Sequence, residues 1–191
     1  MLRIEVYHDS PETPYDEMRR LLNTAFNERK KEGIDFAYAT YTNKELVEHI
    51  GEGYIIVAFE DRDVVGMLVL LQKKRFGFKY STHECLAVLP SKSNNGIASL
   101  MFKRYLDVAK ELNSNFIISS TAEKAYSSIR YHHKNGFKTF LFVSFPSTSY
   151  YSYCFIYPLK RFRLLKYSLF NKPLFAASYV FTKLFKKEKY V

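Results

Sequence analysis

The chain has 191 residues, 47% of them hydrophobic, which suits one folded domain with a sizeable core and excludes a disordered chain. Its formal net charge of +10 is unevenly placed: residues 160–191 hold nine Lys or Arg and one acid, 9 − 1 = +8, leaving 10 − 8 = +2 for residues 1–159. Two cysteines, Cys85 and Cys154, stand in no Cys-x-x-Cys or metal-ligand spacing, which excludes a disulfide framework and a zinc module and points to a reducing compartment.

Residues 2–7 alternate and predict a strand. Thr13-Pro14 with Asp16 and Glu17 in the next turn predicts a helix start, and Met18, Leu21, Leu22, Ala25 and Phe26 fall on one face. An aromatic loop with Phe36, Tyr38 and Tyr41 leads to a second helix. Thr42 and Glu45 form its capping box, and Leu46, Val47 and Ile50 its apolar side. Three short-linked strands, 54–60, 64–75 and 78–88, should be antiparallel neighbours. A polar loop opens a helix over 96–112 with Ile97, Leu100, Met101, Tyr105, Val108 and Leu112 on its apolar side. A strand at 115–120, a helix at 122–134 ended by Asn135-Gly136, and two aromatic strands at 137–145 and 150–158 complete the order. The strand at 78–88, the helix and the strand at 115–120 make one βαβ crossover, so those two strands should be parallel. The expected class is α/β with a mixed sheet and helices on its faces.

The stretch Glu84-Cys85-Leu86-Ala87-Val88-Leu89-Pro90, then Ser91 to Asn95, then Gly96-Ile97-Ala98-Ser99, carries the chemistry. A strand ends, a loop follows, and a helix opens with unpaired N–H groups at the positive end of its dipole. Gly96 and Ala98 allow close approach to the main chain, so the segment reads as a pyrophosphate cradle. An ordinary βα loop containing a glycine is the other reading of the segment taken alone.

With its neighbours the segment resembles the acyl-CoA-binding motif of the GNAT superfamily of N-acetyltransferases. Leu86-Ala87-Val88-Leu89-Pro90 matches the family's Leu-Ala-Val-x-Pro, and Gly96, Ile97 and Ala98 match the end of its phosphate loop. Ser93 stands where the family has Arg or Gln, and Asn94 where a Gly is frequent. Gly136-Phe137 and the helix before it match a second motif, with His132 in the place of its Tyr and Ala125 in the place of a common Asn. The resemblance covers roughly residues 2–158. It implies a mostly antiparallel seven-stranded sheet with a parallel central crossover and helices on both faces, and a domain at 1–159 followed by a tail at 160–191. It also implies acetyl-CoA as co-substrate, held by Leu86, Ala87 and Val88 through the main chain and by Ser93, Asn94, Asn95, Gly96, Ile97, Ala98 and Ser99. The N–H of Val88 would face the thioester oxygen. No metal is expected.

The implied reaction is direct attack of an amine on the thioester. An alkyl ammonium, with a pKa near ~10, must first lose a proton, and the leaving thiolate gains from a donor. Glu84 is the candidate base; pairing with a nearby Lys is its alternative role. Strand alternation would put Glu84 on one face with Thr82, Leu86 and Val88 and turn Cys85 away as a buried thiol. His132 is the candidate donor, with Tyr131 as the substitute if the helix is shifted by one residue. A cationic His132 capping its own helix end is the other reading. Phe36, Tyr38 and Tyr41, with Tyr150, Tyr151 and Tyr153, could wall a pocket for a small amine or a sugar, or form core.

The N-terminus has no apolar signal region, and the ten uncharged residues from Pro173 to Thr182 cannot span a bilayer, which needs roughly 20. A cytoplasmic protein is expected, peripheral at the inner membrane face if the tail binds there. In the tail, Pro173 would sit in a helix's first turn, with Leu174, Ala177, Phe181, Leu184 and Phe185 at helical spacing and Lys183, Lys186 and Lys187 beyond. Upstream, Arg161, Arg163 and Lys166 alternate with Phe162, Leu164, Leu165 and Leu169. The tail could lie on an anionic bilayer or dock on the domain or a second copy. Nucleic acid is not an expected partner, for no binding module accompanies the basic tail. A degenerate acyl-CoA-binding sensor is the rival to the enzyme, its motive being Ser93 and His132.

Overall fold

The computed structural model describes residues 1–8, 10–75, 77–146, 148–159 and 161–184, with side chains from 172 onward in the last segment. Strand β1 (Leu2–His8) leads to helices α1 (Tyr15–Arg29) and α2 (Asn43–Ile50), then to strands β2 (Tyr54–Glu60), β3 (Asp63–Arg75) and β4 (Phe78–Val88). Helix α3 (Ile97–Glu111), β5 (Phe116–Ala122), α4 (Tyr126–Lys134), β6 (Lys138–Ser144), β7 (Tyr151–Pro158) and α5 (Arg161–Leu184) follow. Seven strands form one sheet in the order β1-β2-β3-β4-β5-β7-β6. Only β4 and β5 run parallel; every other pair is antiparallel. The sequence-based order and class hold. Helix α2 opens on the expected capping box, in which Thr42 and Glu45 satisfy each other's main-chain N–H groups. Replacing Thr42 by Ala would cost about 1 kcal/mol.

Both sheet faces are covered, so β2 and β3 read as continuous apolar runs, not as alternation. Met18, Leu22, Leu46, Val57, Met67 and Val69 fill the core under α1 and α2. Ile56, Leu68, Leu70, Met101, Tyr105 and Phe155 fill the core on the α3 side. Two apolar positions differ from expectation: Val47 and Leu100 are exposed, while Phe102 and Ala109 are buried. At 100° per residue, Phe102 and Ala109 border the Met101–Tyr105 face of α3 on one side, whereas Leu100 lies beyond Ile97 on the other. At Gly66, α3 comes so close that a Cβ would lie 2.9 Å from Met101 Cε and 3.1 Å from Ile97 Cγ2.

The tail differs from expectation in where its helix begins. Pro173 lies inside α5, not in its first turn. One side of α5 seals the free edge of β6. Phe142 N–H donates to Ser178 Oγ at 2.9 Å, Thr182 Oγ1 donates to the Phe142 carbonyl at 3.0 Å, and Tyr179 packs 5.0 Å from the Phe142 ring. These contacts give an exposed strand edge the partners it lacks. The side chains expected at 161–169, and Phe185, Lys186 and Lys187, lie outside the described residues.

Candidate active site

The site begins with a local irregularity of β4. Met67 stands opposite Ala87, but Val69 stands opposite Glu84, so β4 carries one extra residue there. Cys85 takes a φ of 51°, a left-handed value that non-glycine residues rarely adopt. The bulge overturns the expected alternation. Glu84 and Cys85 both face the α1/α2 side, where Glu84 meets His49 and Cys85 joins the core, whereas Leu86 and Val88 pack against the α3 side. The Cys85 thiol is buried, and burial first, then the nearby Glu84 charge, pushes its pKa far up. It is a core thiol, not a nucleophile.

Beyond the bulge, β4 leaves its parallel neighbour. Pairing with β5 covers only Ser81–His83 against Ile117–Ser119. Leu89 N–H donates to the Val65 carbonyl at 2.9 Å. The adjacent pair, Gly66 and Val88, is therefore non-hydrogen-bonded, and the Val88 N–H points away from β3 into the gap. The gap is one wall of a cleft of about 920 Å³ lined also by Ser93, Asn94, Gly96, Ile97, Ala98 and Ser99. Asn94 and Gly96 hold φ values of 67° and 77°, and no side chain caps α3. Ser99 N–H donates to the Gly96 carbonyl at 3.0 Å, which leaves the N–H groups of Ile97 and Ala98 for a ligand, with Arg130 and Lys134 of α4 at the same cleft. An extended arm with a pyrophosphate at one end fits this arrangement: a strand edge without a partner, then an uncapped helix N-terminus. Among the described residues no cluster of His, Cys, Asp or Glu could hold a metal.

On the other side of the bulge lies a second pocket of about 560 Å³, with Phe26, Phe36, Tyr38 and Tyr150 as aromatic walls and Glu84 in its lining. Phe36 lies between Phe26, which it meets edge-on at 5.1 Å, and Tyr150, tilted against it at 5.3 Å. Tyr41 stands one layer back, against Tyr38 and His49. Of the aromatic residues expected on the last hairpin, Tyr150 reaches the pocket. Tyr151 and Tyr153 pack on Phe142 instead, towards α5, because alternation along β7 turns them to that side.

Glu84 Oε2 lies 3.1 Å from His49 Nε2, and Oε1 lies 3.7 Å from Lys73 Nζ. Burial raises its pKa, but the His49 ring and Thr82 beside it and the charge of Lys73 outweigh it and hold the carboxyl below its ordinary value. The group is ionised at neutral pH and able to accept a proton. Its partners include the Lys of the structural alternative, so the ion pair and the pocket are both present.

Behind the cleft runs a buried chain of hydrogen bonds. His132 Nδ1 lies 2.7 Å from the Ser128 carbonyl, which only accepts, so Nδ1 carries the proton. Burial lowers the His132 pKa to about 4, so the ring is neutral and Nε2 accepts from the Ser119 hydroxyl at 2.8 Å. Ser119 then has no proton left for His83, so His83 Nδ1–H donates to Ser119 Oγ at 3.3 Å. Burial first, then the neighbouring His132, also keeps His83 neutral, so its Nε2 accepts from the Tyr131 hydroxyl at 3.2 Å. Ser119 Oγ also lies 3.0 Å from the His83 carbonyl, and the Tyr131 hydroxyl oxygen 3.5 Å from the Ala98 carbonyl, so the single hydrogen of each hydroxyl has a second acceptor. His132 is stacked 4.4 Å from Phe155 and is no cation at the helix end; its one N–H is spent on its own helix. Tyr131 lines the cleft of about 920 Å³.

Sequence reasoning placed Glu84, Leu86–Val88 and the loop at one cleft and missed His49, Lys73, His83 and Ser119. His49 carried a usable signal: it lies one residue before Ile50 on a helix whose opposite side is charged. His83 and Ser119 carried none, since they meet only across the parallel strand pair.

The acetyltransferase (GNAT) family model matches residues 15–137 of the 191. No curated protein matches in sequence. Many solved structures share the fold. An N-acetyltransferase from Staphylococcus aureus Mu50 is 15% identical with a TM-score of 0.66, over 83% of this chain and 97% of that one. The protein yncA from Salmonella typhimurium, solved with its cofactor acetyl-CoA, is 16% identical with a TM-score of 0.63, over 83% and 95%. The ribosomal-protein-S18-alanine N-acetyltransferase from Escherichia coli is 10% identical with a TM-score of 0.62, over 83% and 95%.

Proposed function

We propose, from the premise that the chain belongs to the acetyltransferase (GNAT) family, that it moves an acetyl group from acetyl-CoA to the primary amine of a small molecule or sugar by direct attack. The observation that carries this reading is the division of labour on one bulged strand. Glu84 opens into the aromatic pocket, while the Val88 N–H, a few residues on, faces the cofactor gap. Acetyl-CoA supplies the activated thioester. Leu86, Ala87 and Val88 would hold its arm, and Ser93 to Ser99 its phosphates, chiefly through main-chain N–H groups.

The chain's own residues then have separate tasks. Ionised Glu84 takes a proton from the ammonium, directly or through a water; the free amine attacks the thioester carbon, the C–S bond breaks, and the nitrogen's second proton ends on the departing sulfur, so that CoA leaves as its thiol. The Val88 N–H stabilises the carbonyl oxygen as it gains charge. Tyr131, not His132, serves the departing sulfur, because Tyr131 lines the cleft and its hydroxyl hydrogen is held by a long bond to neutral His83, whereas the one N–H of His132 is held by Ser128. Burial holds the Tyr131 pKa far up, so it contributes a hydrogen bond and not a full proton transfer. Phe36, Tyr38 and Tyr150 bound the amine pocket, with Tyr41 supporting Tyr38. The buried thiols of Cys85 and Cys154 support a cytoplasmic setting.

The test is thiol release from acetyl-CoA against a panel of small amines, amino sugars and peptide N-termini, alongside a thermal shift with CoA. Amine-dependent release from a sugar or small amine, with the melting temperature raised by CoA, is the expected result. A thermal shift without release from any amine would favour the sensor. No thermal shift at millimolar CoA would remove the reading altogether.

A further inference from the structure

Helix α5 is apolar on two opposite sides, and the fold uses one of them. Phe175, Ser178, Tyr179, Thr182 and Lys183 serve the domain: Phe175 packs on Tyr153, the two hydroxyls bond Phe142, and Lys183 Nζ lies 3.5 Å from Glu123 Oε2. On the side away from β6, Leu174, Ala177, Val180, Phe181 and Leu184 recur at steps of three and four residues and face outward. Val180 is 54% exposed, Phe181 64% and Leu184 74%. From Leu174 to Leu184 the stripe runs about 15 Å at 1.5 Å per residue. A row of large apolar side chains of this length, outside any core, marks a surface built to be covered.

The charge of the segment decides what covers it. Residues 160–191 carry a formal +8, with Glu188 as the single acid. A second copy meeting the stripe through the same face would bring +8 against +8, and like charges oppose that contact. An anionic lipid surface offers the two things the segment complements: an apolar boundary for the stripe and phosphates for the lysines and arginines. No helix among the described residues is long and apolar enough to cross a membrane, so contact of this kind lies along the surface.

We infer that the outward face of α5 is a docking surface for anionic lipid, holding the domain on a membrane through Leu174, Val180 and Leu184. The contact is separate from acetyl transfer and does not depend on which amine is acetylated. Because the face that seals β6 is a different one, the outer face can be changed without opening the sheet edge.

The experiment is co-sedimentation of the full chain with vesicles of equimolar phosphatidylglycerol and phosphatidylcholine, and with phosphatidylcholine alone. The wild-type chain should pellet with the anionic vesicles at low salt, return to the supernatant at high salt, and ignore the neutral ones. The double variant Val180→Glu/Leu184→Glu should lose at least tenfold in vesicle affinity while keeping its melting temperature. If that variant melts early, Leu174→Glu, at the other end of the stripe, gives the same readout. A wild-type chain that stays in the supernatant overturns the inference, as does pelleting that the substitutions leave unchanged. A dimer on size exclusion that the same substitutions dissociate, without vesicle binding, would assign the stripe to a second copy and overturn it too.

Discussion

The two halves of the cleft are made of different material. The cofactor half is main chain: an unpaired strand edge at Leu86–Val88, then the uncapped start of α3. The amine half is side chain: Glu84 between His49 and Lys73, and rings from α1, the loop before α2, and the end of β6–β7. Main-chain groups are the same in every residue, so the first half should tolerate Ser93 in place of the family's Arg or Gln and Asn94 in place of its frequent Gly, provided that the backbone keeps its path. The second half depends on the identity and position of each side chain. The difference teaches which substitutions each half should feel.

The largest effect is expected at Gly96. Its φ of 77° favours glycine, and an Asp there would add both strain and a negative charge where a pyrophosphate approaches. Gly96→Asp should abolish the thermal shift with CoA. Asn95→Ala, which removes a side chain and keeps the main chain, should leave most of it. If both variants lose the shift equally, side chains matter in the cofactor half and the comparison fails.

Acid stability comes next and concerns the buried chain behind both halves. His132 titrates near 6.5 when unfolded and at about 4 when folded, so the unfolded state binds more protons between those values. Stability is therefore full above pH 6.5 and falls as pH drops towards 4, by about 3 kcal/mol in all for this one group. His83 is shifted in the same direction. Urea unfolding at pH 7 and pH 5 should show the loss, and His132→Gln should flatten it. A pH-independent midpoint would mean that both rings stay accessible to protons in the fold.

How much of this was legible in the sequence follows the same division. The order of elements along the chain and the capping box at Thr42 were readable because each is coded by neighbours a few residues apart. The bulge at Cys85 was not. Nothing in Glu84-Cys85-Leu86 marks an extra residue, which exists only by register against Met67 and Val69, so strict alternation put Glu84 and Leu86 on one face. His83 and Ser119 are 36 positions apart and meet across the parallel pair, which no local pattern encodes. A helical tail was expected, but from Pro173; its start at Arg161 escaped, because Pro173 suggests a helix start and the helix instead runs through it.

In the amine half, Glu84→Gln should lower turnover roughly 10²-fold at neutral pH and leave CoA affinity unchanged. The deficit should shrink towards high pH, where the amine loses its proton without help. A wild-type rate at pH 7 would reduce Glu84 to an ion-pair partner of Lys73.

The smallest effect separates two neighbours on α4. Tyr131 gives its hydroxyl hydrogen to His83 at rest, through a bond that a phenol rotor can leave without moving the ring. A thiolate forming in the cleft is a charged acceptor and a stronger one than neutral imidazole. The hydroxyl therefore turns to the sulfur only as charge develops, which lowers the barrier without tightening substrate binding. Removing one such bond should cost about tenfold in kcat with KM for acetyl-CoA nearly unchanged, and Tyr131→Phe is the variant that measures it. His132 has no hydrogen to offer the cleft, since Nδ1–H is held by Ser128 and Nε2 is an acceptor. His132→Gln should therefore change acid stability far more than kcat at pH 7. The reverse pattern, a severe loss of kcat in His132→Gln beside a near-normal Tyr131→Phe, would return the donor role to His132. It would also mean that the Ser128–His132–Ser119 chain opens during turnover.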